Sequence, residues 1–382
     1  MEEMVASPGI AGSRIASLAT ALADGQLDAY YCRRVSDIRW LTGFEGVFDS
    51  EAAHLALVTG AGVLVHTDGR YSTAMRQRAG GTGIEVDDRA VQHAAFAAAV
   101  LAETGGGAAG PSLRMGIERD IPLDEYRRLV AALEGAGVAC ELVEMDSPLA
   151  ALRAVKDETE LEAMRRAQEI TDRCFDDLLG WIEPGMTELQ VASEMEYKMR
   201  SLGASGLAFP SIVASGTHSA MPHAVPSEKL IETGDFIVLD FGARYGDYCS
   251  DMTRTIVVGD PDEAQQRIYD TTLRAHEECK AMIAPGVSCA SVHEHARQVI
   301  EEGGYAGCFT HGLGHGVGID VHEGPTLSPR NVDGVLEVGN VVTVEPGIYI
   351  PGGQGVRIED CGVVTEGGYE PFTQSPHELI RV

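Results

Sequence analysis

The sequence predicts an α/β domain over residues 1–150, followed by an α+β domain over residues 151–382 that contains a pseudo-two-fold internal repeat. Three observations support this prediction. A chain of 382 residues is too long for one ordinary hydrophobic core, so two domains are expected. The N-terminal region alternates patterns typical of helices and strands, and in the C-terminal region similar helix-introducing segments begin at residues 182 and 283.

The composition indicates a globular protein and excludes some partners. Hydrophobic residues make up 44% and charged residues 23%, and the net charge is −29. Nucleic-acid phosphates require a basic face on the protein. Because this chain is strongly acidic, no nucleic-acid partner is expected. No signal peptide is expected at the N-terminus, and the longest apolar run, residues 94–102, is too short to span a bilayer. No membrane partner is therefore expected.

The eight cysteines indicate the redox environment. They are scattered without any Cys-x-x-Cys pair, which argues against a disulfide framework and against a zinc–thiolate site. Reduced, buried thiols are typical of cytoplasmic proteins, and we expect a cytoplasmic location.

The first domain is predicted from local patterns. An amphipathic helix is indicated by Ile15, Leu18 and Leu22. Turn signals separate the remaining segments, and a Gly-rich stretch over residues 104–111 predicts a flexible loop. The expected elements are a strand over 28–32, a hairpin over 54–59 and 62–67, and helices over 70–79, 91–104 and 123–133.

The second domain opens with a long helix. Asp157 followed by Glu160 resembles a capping box, and an apolar stripe follows at helical spacing until Pro184. The segments 182–187 and 283–288 then each introduce a further helix, with Thr187 and Gln190 as a second capping box.

A matched pair of acids follows each of these helices. Gly234 precedes an apolar strand, residues 236–239, that leads directly into Asp240, and Gly339 precedes a strand that leads into Glu345. A second acid, Asp251 or Glu359, then heads a β-rich run in each half, over 253–258 and 361–365. Either pair alone could be a solvated hairpin tip. Four acids that converge on a pseudo-two-fold axis would repel one another unless a counter-charge such as two divalent cations lay between them.

Histidines supply candidate nitrogen ligands. His311, His315 and His322 lie within one Gly-rich segment, whose glycines exclude a stable helix and would let the backbone approach a ligand closely. A loop rich in Ser, Gly and Pro carries His218 and His223, and the sequence leaves the choice between these two open. The remaining helical histidines are interpreted as structural: His93, His293 and His295.

The set of Asp240, Asp251, His315, Glu345 and Glu359 resembles the five-ligand dinuclear site of the pita-bread metallopeptidases, family M24, which includes methionine aminopeptidase, aminopeptidase P and prolidase. The resemblance covers roughly residues 155–382 in motif and order. Residues 36–44 are similar to a strand-and-turn segment of the creatinase-type N-terminal domain. Because methionine aminopeptidase lacks that domain, the resemblance favours the Xaa-Pro aminopeptidase and Xaa-Pro dipeptidase branch.

The resemblance implies a role for each metal ligand. Asp240 would chelate one metal, Asp251 and Glu359 would bridge both, and His315 and Glu345 would complete the second site. Hard carboxylates with one imidazole suit Mn²⁺, with Co²⁺ or Zn²⁺ as possible substitutes. A metal-bridging hydroxide would attack the carbonyl of a peptide that has proline in its second position.

The resemblance also implies substrate-side roles. Glu345 would act in addition as general base and acid. The family's substrate-side histidines, which orient the scissile carbonyl and stabilise the oxyanion, match three histidines: His223, His311 and His322. Arg357 matches an arginine with a second-shell or substrate role, and Thr253 is expected to hydrogen-bond the metal-bound carboxylates.

Two other functions fit the same fold. A metal-dependent hydrolase of a small non-peptide amide, similar to creatinase or ectoine hydrolase, is the main alternative. A non-catalytic binding module, as in histone-chaperone relatives, is the third, but it would be marked by lost ligands, and all five ligand types are retained. Oligomers are common in the family, so a homodimer is expected from the resemblance.

Overall fold

The computed structural model describes residues 8–49, 51–104 and 112–382. The chain divides into two compact units, Met1–Arg153 and Ala154–Val382, and each is described by itself. The loop predicted over residues 104–111 lies, beyond its first residue, outside the described residues.

The N-terminal unit is built on a mixed sheet flanked by helices. Its elements in chain order are α1 (Pro8–Asp24), β1 (Ala29–Cys32), α2 (Val35–Thr42), β2 (Leu55–Thr59), β3 (Gly62–His66), α3 (Ser72–Ala79), β4 (Ile84–Asp87), α4 (His93–Glu103), β5 (Leu113–Glu118), α5 (Leu123–Gly135), β6 (Cys140–Met145) and α6 (Pro148–Ala154). The strand order is β4-β3-β2-β1-β5-β6. Strand β1 is buried along its whole length and pairs antiparallel with β2 and parallel with β5.

The predicted helices and strands of this unit are confirmed, most within about two residues at each end. One local prediction is wrong. The segment 36–44 is not a strand and turn, because residues 35–42 form helix α2. This helix buries Ile38 and Leu41 on one face, and it ends at Gly43, whose φ of 65° gives the left-handed cap that glycine adopts readily.

Strands β4, β5 and β6 are not among the predicted elements. The alternation of apolar and acidic residues in Ile84–Asp87 is the period-2 pattern of a half-buried strand and could have predicted β4. In Cys140–Met145 the alternation is interrupted by the adjacent Leu142 and Val143, so the signal for β6 is weaker.

The C-terminal unit contains the predicted repeat. Its elements are α7 (Glu158–Leu179), α8 (Glu188–Ser201), β7 (Gly206–Leu207), β8 (Ile212–Ser215), a 3₁₀ turn (Gly216–Ala220), β9 (Phe236–Phe241), β10 (Ala243–Tyr245), β11 (Tyr248–Cys249), β12 (Met252–Val257), α9 (Glu263–Met282), α10 (Cys289–Glu302), β13 (Gly314–Gly316), β14 (Glu323–Leu327), β15 (Val341–Val344), β16 (Gly347–Tyr349), β17 (Gly355–Arg357), β18 (Asp360–Thr365) and β19 (Gly368–Pro371).

Two sheets carry the acids. One has the order β12-β9-β8 and the other β14-β13-β15-β18-β19. The helices that cover them begin where the sequence predicts. The Asp157 side chain accepts a hydrogen bond from the Glu160 amide at the start of α7. The Thr187 side chain accepts one from the Gln190 amide at the start of α8. Both predicted capping boxes are therefore confirmed.

The two halves repeat the same backbone contacts. In the first half the Gly185 amide donates to the Ile231 carbonyl at 2.8 Å, and in the second the Gly286 amide donates to the Leu336 carbonyl at 2.7 Å. The amides of Ile231 and Leu336 each return a hydrogen bond to the residue after that glycine. In each half, the segment before the second helix therefore hydrogen-bonds to the equivalent residue ahead of the acid-bearing strand. The predicted internal repeat is confirmed.

The strands place the acids at equivalent ends of the two halves. Strand β9 continues to Phe241, so Asp240 lies within it, opposite Thr253 of β12, rather than after a strand that ends at residue 239. Asp251 directly precedes β12, Glu345 directly follows β15, and Glu359 directly precedes β18. Among the described residues, no helix is both long and apolar enough to cross a membrane.

Candidate metal centre

One cavity of the C-terminal unit brings the predicted site residues together. Its volume is about 460 Å³. All five predicted metal ligands line it, together with Arg357 and the three histidines predicted to face substrate: Asp240, Asp251, His315, Glu345, Glu359, His223, His311 and His322. Thr253, in contrast, lies behind the cavity wall and contacts Glu359.

The ligand atoms lie within coordination range of a common centre. The Nε2 atom of His315 is 3.6 Å from Asp251 Oδ2 and 3.4 Å from Glu345 Oε1. One ligand atom each from Asp251, His315 and Glu359 fall within 4.8 Å of one another. The orientation of His315 suits a ligand, because its Nδ1 donates to the Gly316 carbonyl and leaves the Nε2 lone pair directed at the acids.

The carboxylates are too crowded to be ionised without a counter-charge. Burial raises the pKa of Asp251 and of Glu359 well above the ordinary value, and the charges of the neighbouring acids raise both further. Burial also raises the pKa of Glu345 to about 8, although the positive charge of Arg357 opposes the rise. A bound cation would offset the cost of keeping these buried carboxylates ionised beside one another.

His315 and Asp240 fit the same interpretation. Burial lowers the pKa of His315 to about 4, so its imidazole is neutral at pH 7, the form that binds metals. The Oδ1 atom of Asp240 is buried and has no hydrogen-bond partner among the described residues. Four carboxylates, one of which has an unsatisfied buried oxygen, and one imidazole form a donor set that suits divalent cations.

Arg357 connects the acids to the cavity wall. Its guanidinium donates from Nη2 to Asp240 Oδ2 at 2.6 Å and from Nε to Thr253 Oγ1 at 3.1 Å. Thr253 in turn donates from Oγ1 to Glu359 Oε2 at 2.6 Å. One buried arginine therefore orients a carboxylate directly and a second one through a threonine.

Tyr349 is a site residue that the sequence did not predict. Its hydroxyl accepts from Arg357 Nη1 at 2.7 Å and lies 2.9 Å from His311 Nε2. Because His311 Nδ1 donates to the Gly312 carbonyl, its Nε2 accepts the tyrosine proton. A tyrosine in an apolar strand is an ordinary β-sheet residue, so no signal in the sequence separates it from the core.

The structure distinguishes the two histidines of the 215–223 loop. His218 Nδ1 lies 3.1 Å from both carboxylate oxygens of Glu188. Glu188 is fully buried and also binds Ser215 and Ser227. His218 is thus held by a buried network, whereas His223 lines the cavity. His93, His293 and His295 lie on helices and are not among the cavity-lining residues.

The glycines on either side of His315 are also required by the packing of neighbouring strands. A Cβ on Gly314 would overlap the Thr343 carbonyl, and a Cβ on Gly316 would overlap the Gly324 carbonyl. Strand β13 therefore needs glycines so that it can approach the backbone of its neighbours, and Gly314 also lines the cavity. That close approach fixes the position of His315.

We expect Gly314→Ala to disturb the metal centre. The new methyl group must push β13 away from Thr343, which displaces the adjacent His315 side chain. Metal affinity should fall by about tenfold or more in a titration followed by calorimetry. Gly206→Ala is the control, because no atom lies within 4 Å of its added Cβ. Equal affinities in the two variants would contradict the steric role assigned to Gly314.

Comparison with known proteins places the chain in a family. The model of metallopeptidase family M24 matches residues 162–366, and that of the creatinase/prolidase N-terminal domain matches residues 14–155. The chain belongs to metallopeptidase family M24. The predicted class of enzyme, a metallo-exopeptidase, and the pita-bread fold with a creatinase-type N-terminal domain are confirmed. Divalent metal ions are the cofactors that this family implies.

Individual relatives resemble the chain over most of its length. An uncharacterised peptidase of Bacillus subtilis is 39% identical over 346 residues, which is 90% of this chain and 93% of that protein. An Xaa-Pro dipeptidase of Pyrococcus furiosus is 43% identical over 240 residues, 63% of this chain and 69% of that protein.

Solved structures of similar proteins also superpose on most of the chain. The Xaa-Pro dipeptidase from Bacillus anthracis superposes with a TM-score of 0.88 at 36% identity and covers 97% of this chain and 100% of its own. The X-Pro aminopeptidase from Thermotoga maritima superposes with a TM-score of 0.81 at 35% identity, covering 94% of this chain and 98% of its own.

Proposed function

We propose that this chain is a dinuclear metal-dependent peptidase that cleaves the bond between an N-terminal residue and a following proline, at the start of peptides or in dipeptides. The observation that carries the proposal is the convergence of four acids and His315 at one cavity whose remaining walls bear histidines and apolar groups. The similar proteins named Xaa-Pro dipeptidase and X-Pro aminopeptidase support the choice of substrate.

The five ligands would be shared between two ions. Asp240 would chelate one ion, Asp251 and Glu359 would contact both, and His315 and Glu345 would complete the second. Mn²⁺ is the metal that this donor set favours, with Co²⁺ and Zn²⁺ as substitutes. When bound, such ions neutralise the acids and activate water for attack on a peptide carbonyl.

The chain's own residues would orient substrate and move protons. The Glu345 carboxylate, at the cavity wall, would accept a proton from the attacking water and return it to the proline nitrogen. His223 and His322 would donate hydrogen bonds to the scissile carbonyl. His311, which donates from Nδ1 to the Gly312 carbonyl and accepts from Tyr349 at Nε2, would line the substrate side of the cavity without a free N–H.

An apolar recess beside the ligands suits proline. Phe209, Ile212, Ala224 and Val321 line the same cavity as the acids. A prolyl amide has no N–H to satisfy and its ring fixes φ, so an apolar wall binds it without leaving a buried donor unpaired.

We also propose a homodimer in the cytoplasm. All eight cysteines are free thiols, which supports a reducing compartment. The homodimer rests on the resemblance to the family alone, and sedimentation of the purified chain tests it.

Metal loading tests the proposal directly. We expect up to two Mn²⁺ ions per chain by elemental analysis, and hydrolysis of Xaa-Pro peptides only in the loaded protein. At a free Mn²⁺ concentration 100-fold above Kd, binding should raise the free energy of unfolding by about 2.7 kcal/mol, measured by chemical denaturation. Mg²⁺, which prefers all-oxygen sites, is the comparison ion and should stabilise less. A metal-loaded protein that cleaves no proline peptide would favour the small-amide hydrolase instead.

A further inference from the structure

The cavity is rich in carboxylates, and the one positive side chain among its described lining residues is already committed to protein groups. Among the described residues that line it, Arg357 is the only lysine or arginine. Arg357 is 3% exposed, and each of its guanidinium nitrogens is already bonded to protein. Its partners are Asp240, Thr253, Tyr349 and the Pro222 carbonyl.

This charge distribution matters for the group that follows proline. In an Xaa-Pro dipeptide the terminal carboxylate is attached to the ring carbon next to the scissile nitrogen. It must therefore enter the same cavity as the scissile bond. A carboxylate that leaves water without a cationic partner carries a desolvation penalty of several kcal/mol. Bound divalent ions would neutralise the four acids, so only a free cationic side chain could pair with this carboxylate, and the described lining residues supply none.

A longer peptide avoids this penalty. In Xaa-Pro-Yaa the same position is a neutral amide, which costs less to remove from water than a carboxylate does. The mouth of the cavity also continues as an apolar surface formed by Pro210, Val225 and Pro226, and Val225 is 80% exposed. A residue after proline could cover this surface.

We infer that this chain acts on peptides in which at least one further residue follows the proline, in preference to free Xaa-Pro dipeptides. The inference rests on the proposed function, which it narrows. It assigns the chain to the aminopeptidase type of activity, although several similar proteins carry the name Xaa-Pro dipeptidase.

Three substrates test the inference with the Mn²⁺-loaded full chain: Ala-Pro, Ala-Pro amide and Ala-Pro-Ala. The amide removes the terminal charge without adding a residue, so it separates charge from length. We expect kcat/KM for the amide and for the tripeptide to exceed that for the dipeptide by about tenfold or more. A dipeptide that is cleaved as well as the tripeptide overturns the inference but not the proposed function. Failure of the loaded enzyme to cleave any of the three overturns both.

A variant pair tests the electrostatic cause. Val225→Arg places a guanidinium at the exposed rim of the cavity, and Val225→Gln places an uncharged polar side chain there. We expect the ratio of dipeptide to tripeptide kcat/KM to rise about fivefold or more in Val225→Arg, because the new cation pairs with the dipeptide carboxylate. Val225→Gln removes the same apolar contact without adding a charge, so the rise is measured against the ratio in this variant. Equal ratios in the two variants contradict the inference.

Discussion

Replacing Asp251 with alanine should remove divalent-metal binding and peptidase activity together. Asp251 is 4% exposed, and it shares a cluster of ligand atoms with His315 and Glu359. Without it, the proposed pair of ions loses a carboxylate that contacts both. Loss of a residue that merely supports a metal ligand typically costs 10–100-fold, so we expect activity to fall by more than about 100-fold.

The measurement must separate lost metal from lost folding. Burial and the neighbouring acids raise the pKa of Asp251, which means that its ionised carboxylate is unfavourable in the metal-free protein. The near-isosteric Asp251→Asn should therefore leave the metal-free protein at least as stable at pH 7 as the unmodified chain, while it too loses metal by elemental analysis. Asp333→Ala, at an exposed position of the same unit, is the control and should retain both metal and activity. An active, metal-free Asp251→Ala enzyme would refute the proposed mechanism.

Replacing Arg254 with alanine should lower the free energy of unfolding more than any other substitution proposed for this chain. Arg254 is 1% exposed, and its guanidinium joins two ligand-bearing segments to the C-terminal segment of the chain. Its Nη1 donates to the carbonyls of Thr253 and Glu359, at 3.0 and 2.6 Å, and its Nη2 binds the fully buried Asp360 at 2.9 Å. Further bonds reach two carbonyls near the C-terminus, those of Ser375 and Pro376.

The expected loss of stability in Arg254→Ala follows from the buried contacts that the guanidinium makes. Removal of one partner of a buried ion pair costs about 3–5 kcal/mol. Lys280 Nζ still contacts Asp360 at 2.8 Å, but the four backbone carbonyls that Arg254 contacts also lose a donor. We expect a decrease of that size in the free energy of unfolding, measured by urea denaturation of the metal-free protein. Arg381→Ala is the matched control, because its pair with Asp260 is exposed, and it should change stability by less than about 0.5 kcal/mol. A loss in Arg254→Ala no larger than in the control would show that the buried pair does not stabilise this unit.

The sequence alone predicted the local elements and the candidate metal ligands. Capping boxes at Asp157 and Thr187 predicted the starts of helices, since a cap and its partner lie only three residues apart. The acids could be identified because each directly adjoins or lies within an apolar strand, and because the same arrangement occurs twice. Glu359 and Asp251 therefore stood out before any contact was known.

The tertiary structure decided which residues meet across the chain. His223 rather than His218 reached the cavity because His218 is bound by Glu188, thirty residues earlier in the sequence. The bonds of Arg357 with Asp240 and Tyr349 join strands that only the sheet register brings together.

Contacts between distant segments also explain why Gly314 must be glycine and why the cavity offers no free cation among its described lining residues. Gly314 is required by the nearby backbone of Thr343, a neighbour that local sequence does not reveal. The commitment of Arg357 to protein groups, which leaves no cation for a substrate carboxylate among the described cavity-lining residues, also follows from packing. Local patterns record hydrogen-bonding and burial preferences within a few residues, whereas these features depend on distances between segments that are far apart in sequence.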